Sequence, residues 1–261
     1  MRWLIGIGLL CGAVYIAVTG FLYSQQTQLI YPAPDMISPL PAGFEEVVLT
    51  TSDGIELRSF YRPASAGQPT AVYFHGNGGT LYGSLVATEQ IAVAGYGLLL
   101  VEYRGYGGNA GSPSEDGFYA DGRAALAFLR ERQIAESDTI LMGNSIGTGT
   151  AVQLATEITP KALLLTAPFT SLPDVAADVL WWLPVRLLIR DQYDSHAKIG
   201  DVNAPILVLH GSADELIPYQ QGQALAAETA RADFQLFAGE GHNLIFTPAV
   251  QAAQVEWLAG L

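Results

Sequence analysis

Residues 138–155 read D-T-I-L-M-G-N-S-I-G-T-G-T-A-V-Q-L-A, and they decide the fold. A short apolar run, Thr139 to Met142, meets Gly143-Asn144-Ser145-Ile146-Gly147. An amphipathic run with helical spacing, Ile146, Val152, Leu154 and Ala155, follows at once. The spacing predicts strand, sharp turn and helix. A serine on such a turn sits at the carboxyl end of a strand with its hydroxyl presented to a cleft, while the helix behind it aims free N–H groups at whatever lies there. Glycines flank it because a side chain at either place would collide with the neighbouring strand or helix. The plain alternative is a glycine-rich strand-to-helix turn without chemistry.

Working outward, the chain alternates short apolar runs with helical patterns. Ala71 to Phe74, Leu98 to Val101, Thr139 to Met142, Ala162 to Thr166, Pro205 to Leu209 and Phe234 to Phe237 read as strands. Leu81 to Ala94, Gly117 to Arg132, Tyr219 to Ala227 and Pro248 to Leu258 read as helices. Ahead of them, Phe44 to Thr50 and Ile55 to Tyr61 alternate around Ser52-Asp53-Gly54, a hairpin signal. Fully apolar strands alternating with helices predict a mostly parallel, doubly wound α/β sheet covered on both faces. Ligands of such sheets bind beyond the carboxyl ends of the strands.

The residues that follow the strands make a chemical set. They include His75-Gly76-Asn77-Gly78-Gly79, Glu102-Tyr103-Arg104-Gly105-Tyr106-Gly107, the serine turn, His210-Gly211-Ser212-Ala213-Asp214 and Gly241-His242. A serine hydroxyl is a poor nucleophile unless an imidazole takes its proton and a carboxylate fixes that imidazole's tautomer. Ser145, His242 and Asp214 can fill those roles, with the adjacent Glu215 as substitute acid. The N–H groups of Ile146 and Asn77 are placed to hold a developing oxyanion. His75 and His210 read as turn-stabilising, His196 as surface, Arg104 as an ion partner within its loop, and Asp116 and Asp121 as the acidic start of a helix.

The order Ser145, Asp214, His242, together with the His-Gly loop at 75 and the glycine-flanked serine, resembles the α/β-hydrolase superfamily. Gln28-Leu29-Ile30-Tyr31-Pro32, His75-Gly76-Asn77-Gly78-Gly79, Tyr103-Arg104-Gly105-Tyr106-Gly107, Gly111-Ser112-Pro113-Ser114-Glu115 and Tyr193-Asp194-Ser195 are similar, more narrowly, to membrane-tethered abhydrolase-domain proteins of the serine aminopeptidase-like group. The resemblance runs from about residue 24 to 258. It implies an α/β-hydrolase fold with a small lid, a serine hydrolase acting on a small acyl substrate, and no cofactor or metal. A carboxylesterase or thioesterase is implied ahead of a peptidase. Ile146 stands where many relatives carry leucine, and Thr148 where many carry glycine. The contrasting reading is a non-catalytic hydrolase-fold scaffold at a membrane. Gly143-x-x-x-Gly147-x-Gly149 also fits the glycine pattern of short-chain dehydrogenases, but it follows the third parallel strand rather than the first, and no Tyr-x-x-x-Lys pair accompanies it.

The N-terminal segment predicts location. Trp3 to Tyr23 holds 21 residues without a charge, preceded by Arg2 and followed by the polar Ser24-Gln25-Gln26-Thr27-Gln28. About 20 helical residues cross the ~30 Å hydrocarbon layer. Phe21-Leu22-Tyr23 does not resemble the small-residue ending of a cleaved signal. The expectation is therefore an uncleaved anchor over 3–23, a proline-rich linker over 24–43 and a hydrolase domain over 44–261. The N-terminus would lie in the cytoplasm and the domain outside. A net charge of −13 among 261 residues repels phosphate backbones, so nucleic acid is not an expected partner. The lone Cys11 excludes an intrachain disulfide.

One insertion, 170–204, interrupts the alternation and carries Trp181-Trp182-Leu183-Pro184-Val185. A lid over Ser145, with Trp181 and Trp182 lining the substrate pocket, is the expectation. Leu172, Val175, Val179 and Trp182 also follow the spacing of a core helix, and the tryptophans equally suit a bilayer surface near the tether.

Overall fold

The computed structural model describes residues 2–261. Eight strands form one sheet: β1 Glu45–Thr50, β2 Glu56–Arg62, β3 Thr70–Phe74, β4 Gly97–Val101, β5 Thr139–Asn144, β6 Ala162–Thr166, β7 Ile206–Gly211 and β8 Ala232–Phe237. Their spatial order is β1-β2-β4-β3-β5-β6-β7-β8. Only the β1–β2 and β2–β4 pairs are antiparallel, and everything from β4 to β8 is parallel. The hairpin predicted around Asp53-Gly54 is the edge of this sheet, with Leu49 opposite Leu57.

Among the described residues ten α-helices accompany the strands: α1 Arg2–Ile30, α2 Leu81–Ala87, α3 Glu89–Val93, α4 Glu115–Glu131, α5 Ile146–Glu157, α6 Leu172–Val179, α7 Val185–Leu188, α8 Ser195–Lys198, α9 Tyr219–Ala227 and α10 Pro248–Ala259. The central strands bury both faces, which is why they read as unbroken apolar runs. On one side Val72, Phe74, Leu141, Leu163 and Val208 pack under α4, α5 and α9. On the other Ala71, Tyr73, Ile140, Leu164 and Leu207 pack under α2, α3 and α10. The single helix expected over Leu81 to Ala94 is two, because buried Thr88 leaves helical φ/ψ and turns its hydroxyl back onto the Ser84 carbonyl.

The N-terminal boundary also differs from expectation. α1 continues seven residues past Tyr23 to Ile30, and its buried Gln26 donates to the Leu188 carbonyl and accepts from the Arg190 N–H. Residues 31–41 form no helix or strand, as the prolines require, before a turn at Ala42-Gly43, yet they are held to the domain rather than free. Tyr31 is buried, donating to Asp191 at 2.7 Å and lying 3.1 Å from the Tyr193 hydroxyl. The Ser38 carbonyl accepts from Arg58.

Asp121 corrects another expectation. It is fully buried within α4, where one oxygen accepts from the Arg104 side chain and the other from the Arg104 backbone N–H. Burial raises its carboxyl to about 6 against the pull of Arg104. Arg104 also holds Asp53 of the hairpin turn, so one guanidinium ties α4, the loop after β4 and the β1–β2 turn together. Asp116 does sit in the first turn of α4, where a carboxylate suits the helix N-terminus.

Candidate active site

β5 ends in the predicted elbow. Ser145 has φ 51° and ψ −121°, a conformation that side chains seldom adopt, and α5 begins at the next residue. The glycines are required on both sides. A Cβ on Gly143 would lie 2.6 Å from the Gly147 carbonyl oxygen, and one on Gly147 would collide with the Phe74 carbonyl oxygen of β3. The two departures from the family pattern are absorbed locally: Ile146 packs in the core, and the buried Thr148 hydroxyl donates to the Ser145 carbonyl.

The loops after β7 and β8 bring the other two side chains to the serine. They are laced together by Ser212 N–H to Phe237 carbonyl, Ala213 N–H to Glu240 carbonyl and Gly239 N–H to the Ser212 hydroxyl. Gly211 allows this approach, since a Cβ there would strike the Glu240 carbonyl. His242 Nδ1 lies 2.8 Å from Asp214 Oδ2, and His242 Nε2 lies 3.0 Å from Ser145 Oγ. Ser145, His242 and Asp214 thus form one hydrogen-bonded chain across three separate loops.

Asp214 is the fixed end of that chain. Its Oδ1 accepts from the N–H groups of Leu216 and Ile217, and its Oδ2 faces both His242 and the buried His210, the latter at 3.3 Å. Burial opposes ionisation, but His210, His242 and the Ile217 N–H outweigh it and hold the carboxyl well below the usual carboxylate range. Glu215, the substitute acid, is exposed and has no hydrogen-bond partner among the described residues. His210 stabilises its turn as expected, its Nε2 lying 2.9 Å from the Ile217 carbonyl and so bracing the loop that carries Asp214.

The His-Gly-Asn-Gly-Gly loop lies against the elbow. A Cβ on Gly76 would come within 3.2 Å of the Ser145 Cβ, and Asn77 is exposed at the rim of the same cavity. The N–H groups of Asn77 and Ile146 engage no backbone carbonyl. The loop is braced from below by His75, whose Nε2 lies 2.9 Å from Glu102, and Glu102 also accepts from the Leu81 N–H. Arg104, expected to find its ion partner within its own loop, pairs instead with Asp53 and Asp121 from outside it, and Glu102 pairs with His75, both standing at strand ends that the sheet brings together.

A cavity of about 250 Å³ contains Ser145, His242, Asn77 and Gly78, with Leu216 and Phe246 as apolar walls. Neither wall was anticipated, though Leu216 lies two residues beyond Asp214 and Phe246 four beyond His242. Trp181 and Trp182 do not line it. The insertion expected as a lid packs against α1 instead, where the Trp182 ring meets Tyr15 edge-on with centroids 6.1 Å apart and the Tyr15 hydroxyl donates to the Trp182 carbonyl. Of its helical face, Leu172 and Val175 pack against the domain core as the core-helix reading expected, and only Trp182 turns to α1, more than 150 residues upstream.

Residues 68–196 match the family described as serine aminopeptidase, S33. An uncharacterised protein of Mycobacterium tuberculosis is 41% identical over 237 residues, covering 87% of this chain and 83% of its own length. The chain belongs to the α/β-hydrolase superfamily. Within that superfamily it falls in the serine aminopeptidase-like, abhydrolase-domain group. The protein bem46 of Schizosaccharomyces pombe is 31% identical over 88% of this hydrolase and 84% of its own chain. The lysophosphatidylserine lipase ABHD12 of Danio rerio is 28% identical over 69% of it and 51% of the lipase. Among solved structures, a Pyrococcus furiosus esterase superposes with a TM-score of 0.71 at 16% identity, over 87% of this hydrolase and 95% of the esterase. At that identity the likeness speaks for the fold.

Proposed function

We propose that this α/β-hydrolase is a membrane-anchored serine hydrolase that cleaves an acyl ester through an acyl-enzyme. The observation that carries the reading is the hydrogen-bonded chain from Asp214 through His242 to Ser145. In it Ser145 Oγ attacks the carbonyl carbon while His242 Nε2 takes the hydroxyl proton. Asp214 holds the proton on Nδ1 and balances the charge of the imidazolium. The N–H groups of Ile146 and Asn77 receive the developing oxyanion, the first reinforced by the N-terminus of α5. Collapse expels the alcohol, which leaves with the proton from His242. Water activated by the same imidazole then releases the acid and restores the serine.

An ester is preferred over a thioester or an amide because the neighbours of known activity carry the printed names esterase and lipase. The open cleft and its two apolar walls suit a short or flexible acyl group. α1 is long and apolar enough to cross a membrane, and with Arg2 ahead of the span the N-terminus faces the cytoplasm and the domain lies outside. Labelling by a fluorophosphonate probe tests the assignment. The wild-type chain should form the adduct and Ser145→Ala should not, and equal labelling of both would refute the nucleophile.

A further inference from the structure

We infer that the 170–204 insertion is a second membrane element, its tip sunk in the lipid leaflet beside α1 on the side of the hydrolase domain. This rests on the reading of α1 as a span and adds to it. The tip exposes large apolar side chains to whatever surrounds it: Trp181 is 82% accessible, Leu187 86% and Val179 58%. From Val179 to Val185 there is no charge. A soluble surface seldom concentrates such residues without covering them.

Geometry identifies what covers them. Trp182 packs on Tyr15, and Tyr15 lies eight residues inside Tyr23, about 12 Å along the helix axis. If the hydrocarbon boundary lay at the level of Tyr15, only Trp3 to Tyr15 would remain to cross it, about 20 Å of helix against the ~30 Å required. A spanning α1 therefore carries the insertion tip into the leaflet with it. The polar groups sit on the outer side of that contact. Arg190 stacks 4.6 Å over the Tyr23 ring, and Gln26 is bonded to Leu188 and Arg190. Tyrosine and arginine at that level mark a membrane–water interface.

The tip also satisfies much of its own polarity. The Tyr15 hydroxyl, placed mid-span, donates to the Trp182 carbonyl, and the N–H groups of Leu180, Leu183, Val185 and Leu187 all donate to carbonyls within the insertion. Backbone at membrane depth needs such internal partners. Between α1 and the insertion lies an apolar cavity of about 150 Å³ lined by Leu22, Leu29, Leu180, Leu183 and Leu188. Its occupant is a lipid chain of the same leaflet.

The test uses the full chain in phosphatidylcholine vesicles, with Trp3→Phe, Trp182→Phe and Trp257→Phe leaving Trp181 as the single emitter. Lipids brominated in mid-chain should remove most of its emission, which should be blue-shifted, and iodide in the water should leave it unchanged. Quenching by iodide alone would overturn the inference and leave the tip as a face for a protein partner. Alkaline carbonate washing separates the two readings. A chain that washes off overturns the span as well, whereas a chain that stays while Trp181 answers only to iodide overturns the insertion alone. A second variant, Cys11→Ser with Leu187→Cys, guards against misfolding of the first. In vesicles shown by protease to carry the domain outward, its thiol should resist an impermeant maleimide until detergent is added, and immediate labelling would also overturn the inference.

Discussion

The carboxyl edge of the sheet and the 170–204 insertion are built on opposite principles. At the sheet edge, Asp214, Ser145 and His210 are buried, and the loops carrying Asp214 and His242 are stitched to each other by backbone hydrogen bonds. Placement there is set by many local partners, so the hydroxyl–imidazole–carboxylate chain forms before any substrate arrives. The tip of the insertion, 179–189, leans mainly on α1 and turns Trp181 and Leu187 outward, whereas Tyr193, Ile199 and Val202 at its far end are built into the core. One region is finished by its own domain and the other by its surroundings. Chemistry that depends on sub-ångström placement belongs on the first kind of region, and adhesion to a fluid solvent suits the second.

That contrast can be broken experimentally, beginning at the sheet edge. Ser145→Ala should lower kcat on a short p-nitrophenyl ester by roughly 10⁴ to 10⁶, leaving only binding and oxyanion stabilisation. A residual rate close to wild type would move the chemistry elsewhere. Asp214→Asn should cost about 10⁴ in kcat by presenting the wrong imidazole tautomer. The same variant gives a pH prediction. The Asp214 carboxyl titrates lower when folded than when unfolded, so its contribution to stability is complete above about pH 4 and is lost as pH falls through the folded value. The stability advantage of wild type over Asp214→Asn, read by chemical denaturation, should therefore shrink as pH drops below about 4.

Away from the cleft, Arg104→Ala removes the charged partner of buried Asp121 and leaves it only the backbone N–H of residue 104, and a loss of about 3–5 kcal/mol in unfolding free energy is expected from breaking a buried pair. A loss below about 1 kcal/mol would mean that the pair behaves like a surface one. The smallest effect sharpens the comparison most. Trp181→Ala should leave kcat on a water-soluble ester unchanged, because the side chain takes no part in the cavity around Ser145. A drop of tenfold or more, about 1.4 kcal/mol in the barrier, would return it to the cleft as a lid residue.

The parallel strands were legible because each buries both faces, and Gly143-x-Ser145-x-Gly147 was legible because only small residues fit between β3 and α5. The acid and the histidine could be picked out because each follows a strand in an order the sheet brings to one edge. The insertion could not be read in the same way. Leu172, Val175, Val179 and Trp182 announce an apolar helical face, yet nothing local says whether it meets the sheet, the cleft or a distant helix. Asp121 was misread for a related reason: an acidic residue early in a helix looks like a cap until Arg104 and Asp53 arrive from other loops. The polar run Ser24 to Gln28 looked like the end of α1, because the groups that satisfy Gln26 lie 162 and 164 residues away.

The backbone of Ser145 has one last implication. A left-handed φ is comfortable for glycine and uncomfortable for serine, so the fold holds the hydroxyl proposed as nucleophile against the preference of the very residue that bears it. Glycine at 145 would relax the turn and yield a firmer but inert molecule. With Ser145 as the proposed nucleophile, durability and turnover pull in opposite directions at this single position.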